Sequence, residues 1–327
     1  MKVCIVGAGA IGGWIGVHLG MQPDIELSVL ARGQTLRNIQ QSGLQLTQNN
    51  HTHRVDVVVS DDSQQLGSQD LVVIAVKAPA MQTVAQQIAP LMGKYTQVLV
   101  AMNGVPWWFL KGLTDASLQT RLSSIDPQGV IEQAIPISRV MGCVVHASCA
   151  APTPGHIHHH FGNGLIIGEP DGTNSPRIIQ LHQLLSTAGF TCTQSNNIQK
   201  DIWYKLWGNM TINPISAITG ATVDRVLGDD LVRGFVSQIM LEAKAIGAKL
   251  GLPIDQQPED RHTVTMKLGA FKTSMLQDVE AQRPVELDAL VSSVRELGVL
   301  TQTPTPYTNA LLGLSRLHAQ QRGLYPL

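Results

Sequence analysis

The chain has 327 residues, of which 43% are hydrophobic and 14% charged. A prior of roughly 150 residues per domain suggests about two domains, apolar enough to bury a core and too poorly charged for disorder. Lys plus Arg total 23 against 24 Asp plus Glu, a net charge of -1, so there is no basic surplus to neutralise a nucleic-acid backbone. The 30 glycines beside 4% aromatic residues suit an enzyme with tight backbone turns better than a base-stacking module.

Met1–Val6 is an apolar β-type run ending at Gly7, and Ala10–Leu19 carries helical-period apolar residues. This opening has one Lys and then an apolar run, as a secretion signal would, but glycine interrupts it and no small-residue cleavage site follows. No later stretch reaches the roughly 18 apolar residues of a membrane span. The expectation is a cytoplasmic protein without a membrane partner. Ile25–Ala31 is a second strand, Gln34–Gln41 a polar helix, and Leu44–Gln48 with Arg54–Ser60 an expected hairpin. Leu71–Val76 is a continuous apolar strand, Pro79–Leu91 a helix and Gln97–Met102 another buried strand. Such alternation predicts a doubly wound parallel sheet.

The pattern weakens between Trp107 and Pro136. Val140–Ala150, His156–Phe161 and Leu165–Gly168 then suggest three strands, followed by a helix at Ser175–Ala188 and a short strand at Thr191–Gln194. From Asn197 onward long helical periods dominate, at 197–219, 228–250, 258–281, 285–298 and 306–320. The expected organisation is an α/β Rossmann-type dinucleotide-binding domain over 1–196, followed by an all-α C-terminal domain over 197–327. The long C-terminal helices allow packing within one chain or across a homodimer.

Gly7-Ala8-Gly9-Ala10-Ile11-Gly12 follows a strand and opens a helix, the context in which GxGxxG binds a dinucleotide. Gly7 permits the tight turn, Gly9 lets backbone approach a pyrophosphate, and Gly12 allows close helix–strand packing. Gly13 adds further slack. At the end of the second strand the chain reads Leu30-Ala31-Arg32-Gly33, with no carboxylate to take a ribose 2'-hydroxyl. Arg32, or Arg37 one turn later, can instead clamp a 2'-phosphate, which favours NADPH over NADH. Lys77 and Asn103 follow two other strands, where open α/β sheets bind ligands.

Lys205, Asn209 and Asn213 recur at i, i+4 and i+8, so they share one helix face. Asn is poor inside a helix, so two in register with a Lys ask for an explanation, and Pro214 should kink or end the helix beside them. A carboxylate such as Glu286 would be a natural partner for Lys205. Four of the five tryptophans, Trp107, Trp108, Trp203 and Trp207, neighbour these residues in sequence, which points to where substrate selectivity is set.

Two other chemistries are weaker. Cys4, Cys143, Cys149 and Cys192 have neither CxxC nor metal-like spacing and read as small hydrophobes. His156, His158, His159 and His160 put three imidazoles on one strand face, but without a supporting carboxylate or Cys pair the expectation is no metal.

The chain resembles the ketopantoate reductase (2-dehydropantoate 2-reductase) family along nearly its whole length. The resemblance rests on GAGAIGG, VKAP around Lys77, AMNGVPWW around Asn103 and GCVVHA around Ala147, then KLWGNMTINPISA, SMLQD and the ELD around Glu286. It implies a Rossmann domain joined to a helical domain, with the active site between them. The implied reaction is NADPH-dependent reduction of ketopantoate to (R)-pantoate, on the route to pantothenate and coenzyme A. The resemblance implies Lys205 as proton donor, with Glu286 and Asn103 completing the catalytic set. Asn209, Asn213, Ser274 and Asn103 would contact the substrate, and Gly7–Gly12, Arg32, Lys77, Asn103, Ala147 and Glu286 would serve the cofactor. The chain departs from the family near Ala221–Asp224, where one Asn has no counterpart, and in the long 107–136 segment. Two rivals therefore stand beside this reading: an enzyme for another 2-keto or 2-hydroxy acid, and a non-catalytic NADP-sensing module.

Overall fold

The computed structural model describes residues 1–113 and 115–327. The chain divides into two compact units, Met1–Met102 with Gln128–Ile198, and Asn103–Pro127 with Gln199–Leu327. The division at 196/197 expected from sequence keeps 103–127 with the first domain. By packing, that segment groups with the C-terminal helices instead.

The first unit holds one ten-stranded sheet: β1 Lys2–Val6, β2 Glu26–Leu30, β3 Leu44–Gln48, β4 His51–Val55, β5 Val58–Ser60, β6 Gln69–Ile74, β7 Met92–Val100, β8 Val140–Thr153, β9 His156–Gly168 and β10 Thr191–Gln194. The order β5-β2-β1-β6-β7-β8 is parallel throughout, the dinucleotide-binding arrangement once the β3–β4 pair is set aside. The sheet as a whole is mixed, because β9 runs antiparallel to β8 while β3 and β10 both pair with β9.

Two strand expectations need correction. The hairpin partner of β3 is His51–Val55, whose run HTHR lacks an apolar alternation, while Val58–Ser60 leaves to pair with β2 on the opposite edge. The hairpin is closed by Asn49 and Asn50 at φ 50 and 64, the left-handed pair that a two-residue turn needs. The three strands expected over 140–168 are two long ones, with β8–β9 register shifts absorbing the irregularity near Ala147 and Gly162.

The helix Ala10–Gly20 is apolar nearly all round and touches β1, β2, β3, β4, β8 and β9. Its residues from Gly12 to Leu19 are all buried. An ordinary amphipathic helix buries one stripe; this one is wrapped by a curled sheet.

The second unit is helical: Ile198–Thr219, Val223–Gly228, Asp230–Lys249, Pro258–Met266, Ser274–Glu280, Ser293–Leu300 and Pro306–Gln321. The helix expected over 258–281 is broken, since Gly269 takes φ 62 and Thr273 caps a new start by accepting Leu276 N–H at 3.2 Å. Pro214 does not end its helix, which runs on to Thr219 with residues 210–217 buried. The 103–127 segment is tied in by Glu296, which accepts Ser123 N–H at 2.7 Å and Ser124 N–H at 2.9 Å. Residue 114, within the irregular 107–136 stretch, lies outside the described residues. Among the described residues no helix is long and apolar enough to cross a membrane.

Candidate active site

The glycine-rich turn follows β1. Gly7 sits at φ 92 and donates its N–H to Leu30 O at 3.2 Å. A Cβ there would lie 2.5 Å from Val76 Cγ1, and one on Gly12 would lie 2.1 Å from Gly7 O. Gly9 differs: a Cβ would meet nothing within 4 Å, and as N-cap it leaves the helix without a side-chain cap. The uncapped first-turn N–H groups carry the positive end of the helix dipole, with open space beside them. That cradle suits an anionic phosphate. Gly13, expected to add slack, does the opposite: its Cβ would be 2.2 Å from Ile157 Cδ1 of β9, so its smallness serves packing.

Arg32 is exposed just past β2, as N-cap of the Gly33–Ser42 helix, which also has no side-chain cap. Arg37 is engaged on its own helix, donating to Gln34 Oε1 at 2.8 Å. Lys77 is half-buried just past β6, opening the short helix Ala78–Ala80. Because β2, β1 and β6 are neighbours, the topology brings Arg32, Gly7–Gly12 and Lys77 to one end of the sheet. Ala147 lies at the β8 bulge between His146 and Ser148.

The second unit supplies a different chemistry. Lys205 Nζ donates to Asn103 Oδ1 at 2.8 Å. Both residues are half-buried, so the ammonium is held by a neutral amide acceptor without being neutralised by it. Asn209 is half-buried and Asn213 only 7% exposed on the same helix. Ser274 is exposed at the first turn after its Thr273 cap, and Glu286 is 8% exposed. The structure thus joins Asn103 directly to Lys205 and sets Asn209 and Asn213 on that helix, while Ser274 and Glu286 lie on two other segments of the same unit.

The tryptophans are core residues rather than walls of a site. Trp107, Trp108, Trp203 and Trp207 are 5%, 1%, 1% and 0% exposed, with Trp203 6.0 Å from Phe109 and Trp207 donating to Met240 O at 2.7 Å. Burial pushes the thiols of Cys4 and Cys192 up to about 11 and that of Cys149 to about 12, away from nucleophilic chemistry. In the histidine run, His156 meets Thr47 Oγ1 at 2.8 Å while His159 stacks on Trp14. Among the described residues no group of three or more His, Cys, Asp or Glu could hold a metal ion.

Sequence reasoning missed the support beneath Asn103. Gly104 has φ 82, and a Cβ on it would lie 2.5 Å from Ala289 O. Val105 N–H donates to the same oxygen at 2.9 Å. Ala289 belongs to a π-helical turn, Asp288–Ser292, which leaves no periodic signal in sequence.

Residues 3–172 match the family described as Ketopantoate reductase PanE/ApbA, and residues 197–319 match its C-terminal family. A 2-dehydropantoate 2-reductase of Mesorhizobium japonicum is 42% identical over 99% of this chain and 100% of its own length. A crystal structure from Ralstonia solanacearum MolK2, of a protein assigned as a ketopantoate reductase, superposes with TM-score 0.95 at 53% identity, covering 99% of each chain. D-mandelate dehydrogenase with NADH and anilino(oxo)acetate shares the fold at TM-score 0.85 and 20% identity, over 99% of this chain and 100% of that one.

Proposed function

The chain belongs to the ketopantoate reductase family, and on that premise we propose that it reduces 2-dehydropantoate to (R)-pantoate with NADPH. The observation that carries the reading is the 2.8 Å hydrogen bond from Lys205 Nζ to Asn103 Oδ1, which fixes an ammonium donor in a half-buried setting. Gly7, Ala8, Gly9, Ala10, Ile11 and Gly12 would hold the cofactor pyrophosphate, and Arg32 its 2'-phosphate. Lys77, Asn103, Ala147 and Glu286 are the further cofactor contacts in this reading. When bound, NADPH supplies the hydride that C2 of the keto acid accepts.

The chain's own part is to bind, orient and protonate. Negative charge develops on the C2 oxygen, and Lys205 Nζ–H lies on the group able to give that oxygen a proton. The N–H bond breaks as the O–H bond forms, leaving a neutral amine that water reprotonates for the next turnover. Asn103 restrains Nζ, so less orientational freedom is lost in reaching the reactive geometry. Asn209, Asn213 and Ser274 offer neutral donors to the substrate carboxylate and hydroxyl. In this reading the enzyme works in the cytoplasm, on the route to pantothenate and coenzyme A.

The test is steady-state NADPH oxidation with a panel of 2-keto acids. The proposal expects the highest kcat/KM for ketopantoate. A higher value for a bulkier branched or aromatic keto acid would assign a different substrate. Absence of oxidation with every keto acid would leave the NADP-sensing reading.

A further inference from the structure

The π-helical turn that supports Asn103 is itself held from the C-terminal tail. Its carbonyl at Ala289 accepts Val105 N–H at 2.9 Å and Ser293 Oγ–H at 3.0 Å, while Ser293 N–H reaches back to Asp288 O. The wide turn therefore presents a backbone acceptor to another segment. On that acceptor hangs Asn103-Gly104-Val105, whose first residue holds Lys205.

Tyr325 closes this arrangement. Its hydroxyl donates to Asp288 Oδ1 at 2.7 Å. Asp288 and Ser292 are the first and last residues of the π turn. The hydroxyl thus pins the first residue of the turn. The flanking backbone is pinned as well: Val285 N–H donates to Leu324 O at 3.1 Å, and Leu324, 4% exposed, donates its own N–H to Ala319 O at 2.8 Å. Gln320 Nε2 donates to Pro326 O at 2.8 Å, fastening the tail to its helix. The bracketed segment, 285–292, contains Glu286.

We infer that Tyr325 is a positioning residue for the reaction, setting the π turn that places Asn103 against Lys205. The effect passes from the phenol to Asp288, to the adjacent Ala289 carbonyl, to Gly104 and Val105, and so to the amide that restrains Nζ. Burial and the Asp288 carboxylate push the phenol up to about 12, so the hydroxyl stays protonated across any working pH. This role rests on Lys205 being the proton donor, and the experiment separates the two.

Tyr325→Phe keeps the ring and removes the hydroxyl. We expect kcat with the 2-keto acid to fall roughly 10- to 100-fold, the scale of a displaced catalytic group. Asp288→Asn keeps an oxygen that accepts from the phenol, and its kcat should stay close to that of the parent. A Tyr325→Phe enzyme with parental kcat, or an Asp288→Asn enzyme as impaired as Tyr325→Phe, would overturn the assignment. Competitive acetylation of Lys205, read by mass spectrometry against exposed Lys94, needs no turnover. Tyr325→Phe should raise the Lys205 to Lys94 labelling ratio. An unchanged ratio overturns the positioning role even if the melting temperature falls. If no keto acid supports NADPH oxidation by the parent chain, the proposed function fails and the labelling ratio alone decides the positioning role.

Discussion

Lys205 Nζ and Asn103 Oδ1 lie 102 positions apart in sequence and 2.8 Å apart in space. A long, flexible ammonium loses much of its rotamer freedom when one acceptor holds it. The carboxamide supplies that restraint without taking the proton. Replacing Lys205 with Ala should lower kcat by roughly 10²–10⁴, the usual scale for a general acid, and leave NADPH affinity unchanged. Steady-state kinetics beside cofactor titration would check this; wild-type turnover would remove Lys205 from the chemistry.

Arg32 is exposed at the end of β2, beside a helix start without a side-chain cap. Arg32→Ala should raise the KM for NADPH far more than that for NADH, because only the former has a 2'-phosphate to lose. Parallel titration with both cofactors makes the comparison. Equal effects would place the 2'-phosphate elsewhere.

Gly104 lies at φ 82 with its Cα facing the backbone of Ala289. An added methyl meets a carbonyl oxygen at 2.5 Å and an unfavourable left-handed conformation together. Gly104→Ala should therefore lower both melting temperature and kcat, by displacing the Asn103 segment. A stable variant with normal kcat would show that the segment yields without moving Asn103.

These cases mark how far the residues themselves could be read. GxGxxG announced its turn because local chemistry, a positive φ and an uncapped helix start, creates its function. The Lys205, Asn209 and Asn213 register was legible for a similar reason, since helical periodicity shows which residues share a face. What sequence could not carry is contact made through backbone. The Ala289 carbonyl has no residue-type signature, and a π turn disturbs periodicity by a single residue. The polar strand His51–Val55 hid likewise, because its place depends on pairing with β3 and not on an alternation of its own. The tryptophans misled in the opposite sense: the nearness of Trp203 and Trp207 to Lys205 in sequence suggested a site wall, whereas both are buried in the core.

Gly13 and Ile157 offer a direct test of packing around the helix that follows the glycine-rich turn. A Cβ on Gly13 would lie 2.2 Å from Ile157 Cδ1, so Gly13→Ala should cost roughly 1–3 kcal/mol through overpacking. Ile157→Val removes the nearer of the two clashing atoms and leaves Cγ1 at 2.7 Å, so the double variant should recover only part of that loss. Urea unfolding of all four chains gives the coupling. Additive losses would mean the helix shifts instead of pressing on β9.

His262 gives a pH signature. It is 0% exposed and bonded to Ser237 Oγ at 2.9 Å, and burial, helped by the Arg233 charge, holds its imidazole down to about 4 from 6.5. Below pH 6.5 the unfolded chain binds this proton more readily than the folded one. Its contribution to stability is thus complete above pH 6.5 and is lost as pH falls towards 4. The melting temperature should drop over that window, and less steeply in His262→Gln. Identical slopes would assign the acid sensitivity to other groups.

The helix enclosed by the curled sheet also sets a timetable for folding. Ala10–Gly20 leaves the ribosome well before β9, His156–Gly168, which is among its covering strands. Until then the growing chain carries an apolar helix with part of its wrapping still unmade, a state prone to association. The packing around the helix after the glycine-rich turn is therefore completed long after the turn itself is made. Its closure depends on long-range pairing, which is slow by topology.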